Sequence, residues 1–101
     1  MNTDSAVQAL AALAQSHRLA IFRRLVVAGP DGLVVGEIAE AVGIAPATLS
    51  FHLKALSQAG LIEVQHQGRF LRYSANFVAM HDLIAFLSEN CCGSDASSCA
   101  P

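Results

Sequence analysis

Residues 46–60, PATLSFHLKALSQAG, constrain this chain more than any other stretch. Leu49, Leu53 and Leu56 recur at i, i+4 and i+7, the spacing of one apolar stripe on an α-helix. Pro46 suits the first helical turn, where a missing N–H costs nothing. Gly60 suits the stop, because glycine takes the left-handed C-terminal position without a steric cost. The opposite face carries Ala47, Phe51, Lys54 and Gln58, flanked by Thr48 and Ser50. Hydroxyls, an amide, one cation and small apolar groups can read base edges in a DNA major groove. The same pattern also describes an ordinary solvated helix face, so the neighbouring segments have to decide.

Upstream, Val34–Val42 predicts a short helix over Gly36–Ala41 with Ile38 and Val42 inward, and Gly43-Ile44-Ala45-Pro46 breaks it. Two short helices joined by a tight turn, the second with an exposed reading face, form a helix-turn-helix. Downstream of Gly60 the period shortens to that of a strand. Leu61–His66 and Arg69–Ser74 predict a hairpin turning at Gln67-Gly68, with Leu61, Leu71 and Tyr73 toward the core and Arg69 and Arg72 at the outside and tip. A helix-turn-helix followed directly by a basic-tipped hairpin is a winged helix, whose tip can reach a phosphate or the minor groove.

The flanks are helical. Ser5–Gln15 has Val7, Leu10, Leu13 and Ala14 near helical spacing, with Ser5 as a start. Ser16 is expected to cap His17–Ala28, whose buried faces are Leu19, Phe22 and Val26 with Ile21 and Leu25; Arg18, Arg23 and Arg24 are left for solvent or phosphate. Gly29-Pro30-Asp31-Gly32 is a turn. Asn76 caps a last helix, Phe77–Glu89, that is apolar on more than one side and so able to pack on its own domain and on a second one. The fold expected is mainly α with a small β-hairpin, in the order α-α-α-α-β-β-α, homodimeric, with residues 1–90 as the domain and 91–101 as a flexible cysteine-bearing tail.

Composition bounds function. The chain is 101 residues, 53% hydrophobic and 14% charged, and the apolar excess points to surface buried between subunits. No apolar run reaches the roughly 18 residues of a membrane span. The N-terminus lacks a basic leader, so a cytoplasmic protein with no membrane partner is expected. A net charge of −2 and a pI near 6.0 run against the basic footprint of a nucleic-acid binder. From Pro46 to His81, however, Lys54, Arg69 and Arg72 face Glu63 alone among the acids, and a dimer shows that patch twice. A Cys-x-x-Cys at a helix start, a base beside a nucleophile and a phosphate-binding glycine loop are all missing from the sequence, so no enzyme chemistry is indicated.

The run LSFHLKALSQAGLIEVQHQGRFLRYSA, Leu49 to Ala75, resembles the ArsR/SmtB family of bacterial winged-helix repressors. The family pattern has serine, a variable residue, histidine-leucine, a second leucine, alanine-glycine-leucine and then a glycine-containing wing ending in tyrosine. Ala11-Leu13-Ala14 followed by His17-Arg18-Leu19 is similar to the family's entry into its second helix, and the likeness covers about residues 6–90. The resemblance implies a homodimer on double-stranded operator DNA that lets go when a metal or metalloid binds. By position it implies that Ala47, Thr48, Ser50 and Phe51 face the groove and that His52 and Lys54 lie beside the backbone, with Arg69 on the wing; a lone histidine such as His52 is, on its own chemistry, more often structural than base-reading. Phe51 departs from the polar side chain many relatives carry, and either contacts a thymine methyl or packs. The helix-three ion site of some relatives needs a cysteine pair within Leu33–Ala39, where this chain has Val34 and Gly36. The last-helix zinc site needs paired aspartate and histidine ligands, where only the adjacent His81 and Asp82 are offered.

All three cysteines fall at one end: Cys91, Cys92 and Cys99. Three thiols without a fourth nearby ligand suit a thiophilic ion of pyramidal three-coordination, As(III) or Sb(III), better than structural zinc with its four ligands. The spacer Gly93–Ser98 is flexible enough to bring Cys99 round to the adjacent pair. Some arsenic-responsive relatives carry a similar triplet at their C-terminal end. An arsenite- or antimonite-released repressor is therefore expected, with no structural cofactor. Its alternatives are a repressor switched by oxidation of Cys91 or Cys92 with Cys99, and a thiol metal carrier.

Overall fold

A computed structural model describes residues 1–93. Five helices and three strands follow in the order α1 (Thr3–Leu13), α2 (Ser16–Ala28), β1 (Leu33–Val34), α3 (Val35–Val42), α4 (Pro46–Gln58), β2 (Ile62–Gln67), β3 (Phe70–Ala75) and α5 (Phe77–Ser88). The winged helix-turn-helix expected from the sequence is present, with one strand more than the hairpin required. β1 adds to the outer edge of β3, giving an antiparallel sheet in the order β1-β3-β2. Leu33 pairs with Tyr73 and Val34 with Arg72, while Ile62 to Gln67 pair with Ala75 to Phe70.

The core is helical. Ile21 and Leu25 of α2, Ile38 of α3, and Leu49, Leu53 and Leu56 of α4 are fully or nearly fully buried together with Leu61. Leu83 is the buried residue of α5, supported by half-buried Phe77, Met80 and Phe86. The wing enters the core only at its base, where the paired Ile62 and Ala75 are buried; Leu71 and Tyr73 farther along are half-buried.

The inward face of α1 differs from the expected one. Ala6, Ala9 and Ala12 are buried, Leu13 is half-buried, and Val7 and Leu10 stand in solvent. Small side chains at i, i+3 and i+6 let the helix axis approach its neighbours closely. The larger groups are thereby left outside. On α2, Leu19 is likewise exposed while Phe22 goes in.

The caps also shift. α1 is opened by Asn2, whose Oδ1 accepts from the Ser5 N–H at 2.8 Å while Ser5 Oγ accepts from the Asn2 N–H at 3.1 Å. α2 is opened by Gln15, whose Oε1 accepts from the Arg18 N–H at 2.9 Å. Asn76 caps α5 as expected, accepting from the Ala79 N–H at 3.1 Å. Gly60 follows α4 with φ +75°, the left-handed position foreseen for it.

Candidate nucleic-acid interface

α4 is set by its neighbours on one side only. Its first turn starts at Pro46, and no side chain caps its leading N–H groups. Leu49, His52, Leu53 and Leu56 are buried. Ala47, Thr48, Ser50, Phe51, Lys54 and Gln58 are exposed. The face the sequence assigned to the groove is thus open to solvent over its whole length. Ser50 Oγ donates to the Pro46 carbonyl at 3.1 Å, so its hydroxyl presents lone pairs outward and acts as an acceptor.

His52 stands elsewhere than the sequence placed it. It is 6% exposed, under α4 rather than beside a backbone phosphate. Leu49, His52, Leu53 and Leu56 form a single i, i+3, i+4, i+7 pattern, and that spacing is the sequence signal for its burial. Its ring meets His17 edge-on at 5.5 Å and Phe51 edge-on at 5.5 Å. Nδ1 is enclosed, with no hydrogen-bond partner among the described residues. Burial, then the charges of Arg18 and His17, hold the imidazole below its ordinary pKa. His52 is therefore neutral under the helix at pH 7.

The arginines divide. Arg18 is half-buried and engaged within the fold: its Nε donates to the Ala12 carbonyl at 2.7 Å and closes the end of α1. Arg72 is not at the wing's outside either. Its Nε donates to Gln67 Oε1 at 3.0 Å, and Nη1 reaches the carbonyls of Asp31 and Gly32 at 3.2 and 3.3 Å. It ties the turn before β1 to the sheet. Arg69 remains exposed at the wing, beside a Phe70 that is 63% exposed. Outward cations of the reading region are therefore Lys54 and Arg69, with Arg23 and Arg24 on α2.

The wing and the last helix meet at the end of α4. The Leu61 N–H donates to the Leu56 carbonyl at 3.1 Å, and the Asn76 N–H to the Leu61 carbonyl at 2.8 Å. Asn76 Nδ2 donates to the Gly60 carbonyl at 3.0 Å. One residue thus caps α5 and grips the stop of α4.

A family model described as a helix-turn-helix domain matches residues 13–65, more than half of the chain. An ArsR-like transcriptional regulator from Rhodococcus sp. RHA1 superposes with TM-score 0.74 at 25% identity, covering 84% of this chain and 77% of that one. This chain belongs to the ArsR family of winged helix-turn-helix regulators. It is also similar to the homodimeric winged helix-turn-helix DNA-binding domain of Mb0332 from Mycobacterium bovis, described as a possible ArsR-family regulator. There the TM-score is 0.68 at 27% identity, over 92% of this chain and 86% of that one. A regulator of Bacillus subtilis (strain 168), the HTH-type YceK, is 40% identical over 62 residues, and the match spans 61% of each chain. These relatives are regulators rather than enzymes.

Of the cysteines of this ArsR-family chain, Cys91 and Cys92 are described and Cys99, with the rest of 94–101, lies outside the described residues. The Cys91 and Cys92 sulfurs are 3.8 Å apart, just beyond α5. Among the described residues no group of three or more His, Cys, Asp or Glu is assembled. His81 and Asp82 are both exposed on α5. No helix among the described residues is long and apolar enough to cross a membrane.

Proposed function

We propose that this chain is a homodimeric repressor that binds double-stranded operator DNA and is released when As(III) or Sb(III) binds Cys91, Cys92 and Cys99. The observation that carries the DNA half is the clean division of α4: one face wholly in the core, the other wholly in solvent, with Arg69 exposed on the adjoining wing. Ala47, Thr48, Ser50 and Phe51 enter the major groove, Lys54 meets the flanking phosphate and Arg69 the next one. His52 acts from below, as a support for the helix.

Ser50→Ala should weaken specific binding by on the order of 1 kcal/mol, and Arg69→Ala should lower the salt slope of binding by about one unit. Arg72→Ala should leave that slope unchanged and lower stability instead, because its donors are engaged within the fold. Anisotropy titrations across a salt series measure both. Unchanged affinity and slope in the Ser50 and Arg69 variants would remove α4 and the wing from the DNA face.

The dimer half is supported by apolar groups that the fold leaves in solvent. α1 packs on α5, and Val7, Leu10, Ile84 and Leu87 are all exposed. An isologous two-fold contact through these helices would cover them. Leu87→Asp should place an unpaired charge in that contact and yield a folded monomer, since Leu87 is 60% exposed within the protomer. Sedimentation velocity at micromolar concentration reads the outcome, and a wild-type monomer would contradict the dimer.

The release half is supported by the adjacent sulfurs at the end of α5. Arsenous acid would lose its three hydroxyl groups as water while three thiols give up their protons and three As–S bonds form. Asn76, at the opposite end of α5, holds both Ala79 and Gly60, so a displacement of α5 as a whole would be passed to the end of α4. A coupling of about 3 kcal/mol between ion and DNA gives a roughly hundredfold loss of affinity. The redox alternative is oxidation of Cys91 or Cys92 and its pairing with Cys99. Peroxide releasing DNA where arsenite does not would favour it. Arsenite binding that leaves the DNA complex intact would favour a carrier.

A further inference from the structure

Phe51 is 66% exposed, the one large hydrophobic side chain that α4 holds in solvent. Its helix turns every other large apolar group inward, so Phe51 does not serve this protomer's core. It sits at the middle of the outer face, one turn after Ala47 and one before Lys54. Ala47 is too short to screen it, and Ser50 beside it faces outward as an acceptor. The ring is also steadied. It lies edge-on against His52, which is buried and itself rests on His17. A side chain held this way loses little rotamer freedom on binding.

A phenyl ring has no hydrogen-bonding group with which to read the polar part of a base edge. In the major groove the apolar feature of a base pair is the thymine 5-methyl group. We infer that Phe51 reads the 5-methyl group of a pyrimidine in each half-site, which in unmodified DNA is a thymine. The inference rests on the operator-binding reading above and adds the base chemistry to it. Cytosine lacks the methyl and is discriminated against, while 5-methylcytosine presents the same group.

The test starts from a duplex selected by the full-length wild-type chain out of a random-sequence pool. Each thymine is then replaced singly by uracil, which removes the methyl and leaves the pairing edge intact. At one position per half-site, uracil should weaken wild-type binding about fivefold, the effect of losing roughly one buried methyl contact. Phe51→Ala should bind more weakly, remain the same oligomer as wild type, and show no thymine-over-uracil preference there. Cytosine and 5-methylcytosine at that position should differ for wild type in the same sense as uracil and thymine. An enriched site at which no uracil substitution matters, or a Phe51→Ala variant with unchanged preference, overturns this inference and leaves operator binding standing. A Phe51→Ala variant that falls apart into monomers assigns the ring to a subunit contact and overturns it as well. Failure to enrich any sequence overturns the operator reading and this inference together.

Discussion

Gly32→Ala should lower the midpoint of thermal unfolding by roughly 15 °C. Two costs combine. Gly32 has φ +66°, where an L side chain costs about 1–2 kcal/mol. A Cβ there would also overlap the backbone carbonyl of Tyr73, and a backbone atom cannot swing aside as a flexible side chain can. Forcing extra volume into a packed site adds about 1–3 kcal/mol. The sum of about 3 kcal/mol corresponds to the stated shift for a domain of this size. The damage would be local at first. Gly32 precedes the β1 pairing of Leu33 with Tyr73, and its carbonyl accepts from Arg72. Displacing it unseats β1 and frees Arg72, so the wing should loosen before the helices melt. Calorimetry checks the midpoint, and amide exchange at Leu33 and Tyr73 checks the locality. A shift under about 3 °C would mean that the turn relaxes at little cost.

The second large effect concerns release. A variant with Cys91, Cys92 and Cys99 all changed to serine should fold, dimerise and bind operator DNA like wild type, yet keep its DNA when arsenite is added under reducing conditions. Wild type under the same conditions should lose about a hundredfold in affinity. The expectation of an intact fold rests on position: Cys91 and Cys92 are exposed beyond α5 and contribute nothing to the core. Cys99→Ser alone should keep a weakened response, because the adjacent pair still offers two sulfurs to the ion. Release of the triple-serine variant at the wild-type arsenite concentration would move the sensor elsewhere in the chain.

What the sequence made legible was whatever a local pattern encodes. Leu49, Leu53 and Leu56 repeat at helical spacing, Pro46 and Gly60 bracket the helix they belong to, and Asn76 begins the next one. Each of these features depends on residues within a turn or two, so the helix-turn-helix and the wing followed from spacing alone. The features that escaped depend on distant partners. β1 is two residues long and exists because β3 lies beside it, which no local pattern announces. The choice of Ala6, Ala9 and Ala12 over Val7 and Leu10 as the inner face of α1 was settled by how closely the helix packs, and hydrophobicity alone pointed the other way. Arg18 and Arg72 read as surface charge because they are held largely by backbone carbonyls, of Ala12 and of Asp31 and Gly32, which carry no residue identity. Among the site residues, Ala47, Thr48, Ser50, Phe51 and Lys54 do share one exposed face, and only His52 left the set. Its position three residues after Leu49 and four before Leu56 is the local signal for the structural role, which a lone histidine favours over a DNA contact and which its burial bears out.

The central claim is that two copies of α4 read DNA from one two-fold dimer, and a footprint addresses it most directly. Hydroxyl-radical cleavage and guanine-N7 methylation protection on a selected duplex should show two protected major-groove windows about 34–36 Å apart, symmetric about the centre of the site. Loss of Arg69 should remove the protection flanking each window and leave the windows themselves. A single window, or protection confined to the minor groove, would contradict the placement of α4 and the dimer with it.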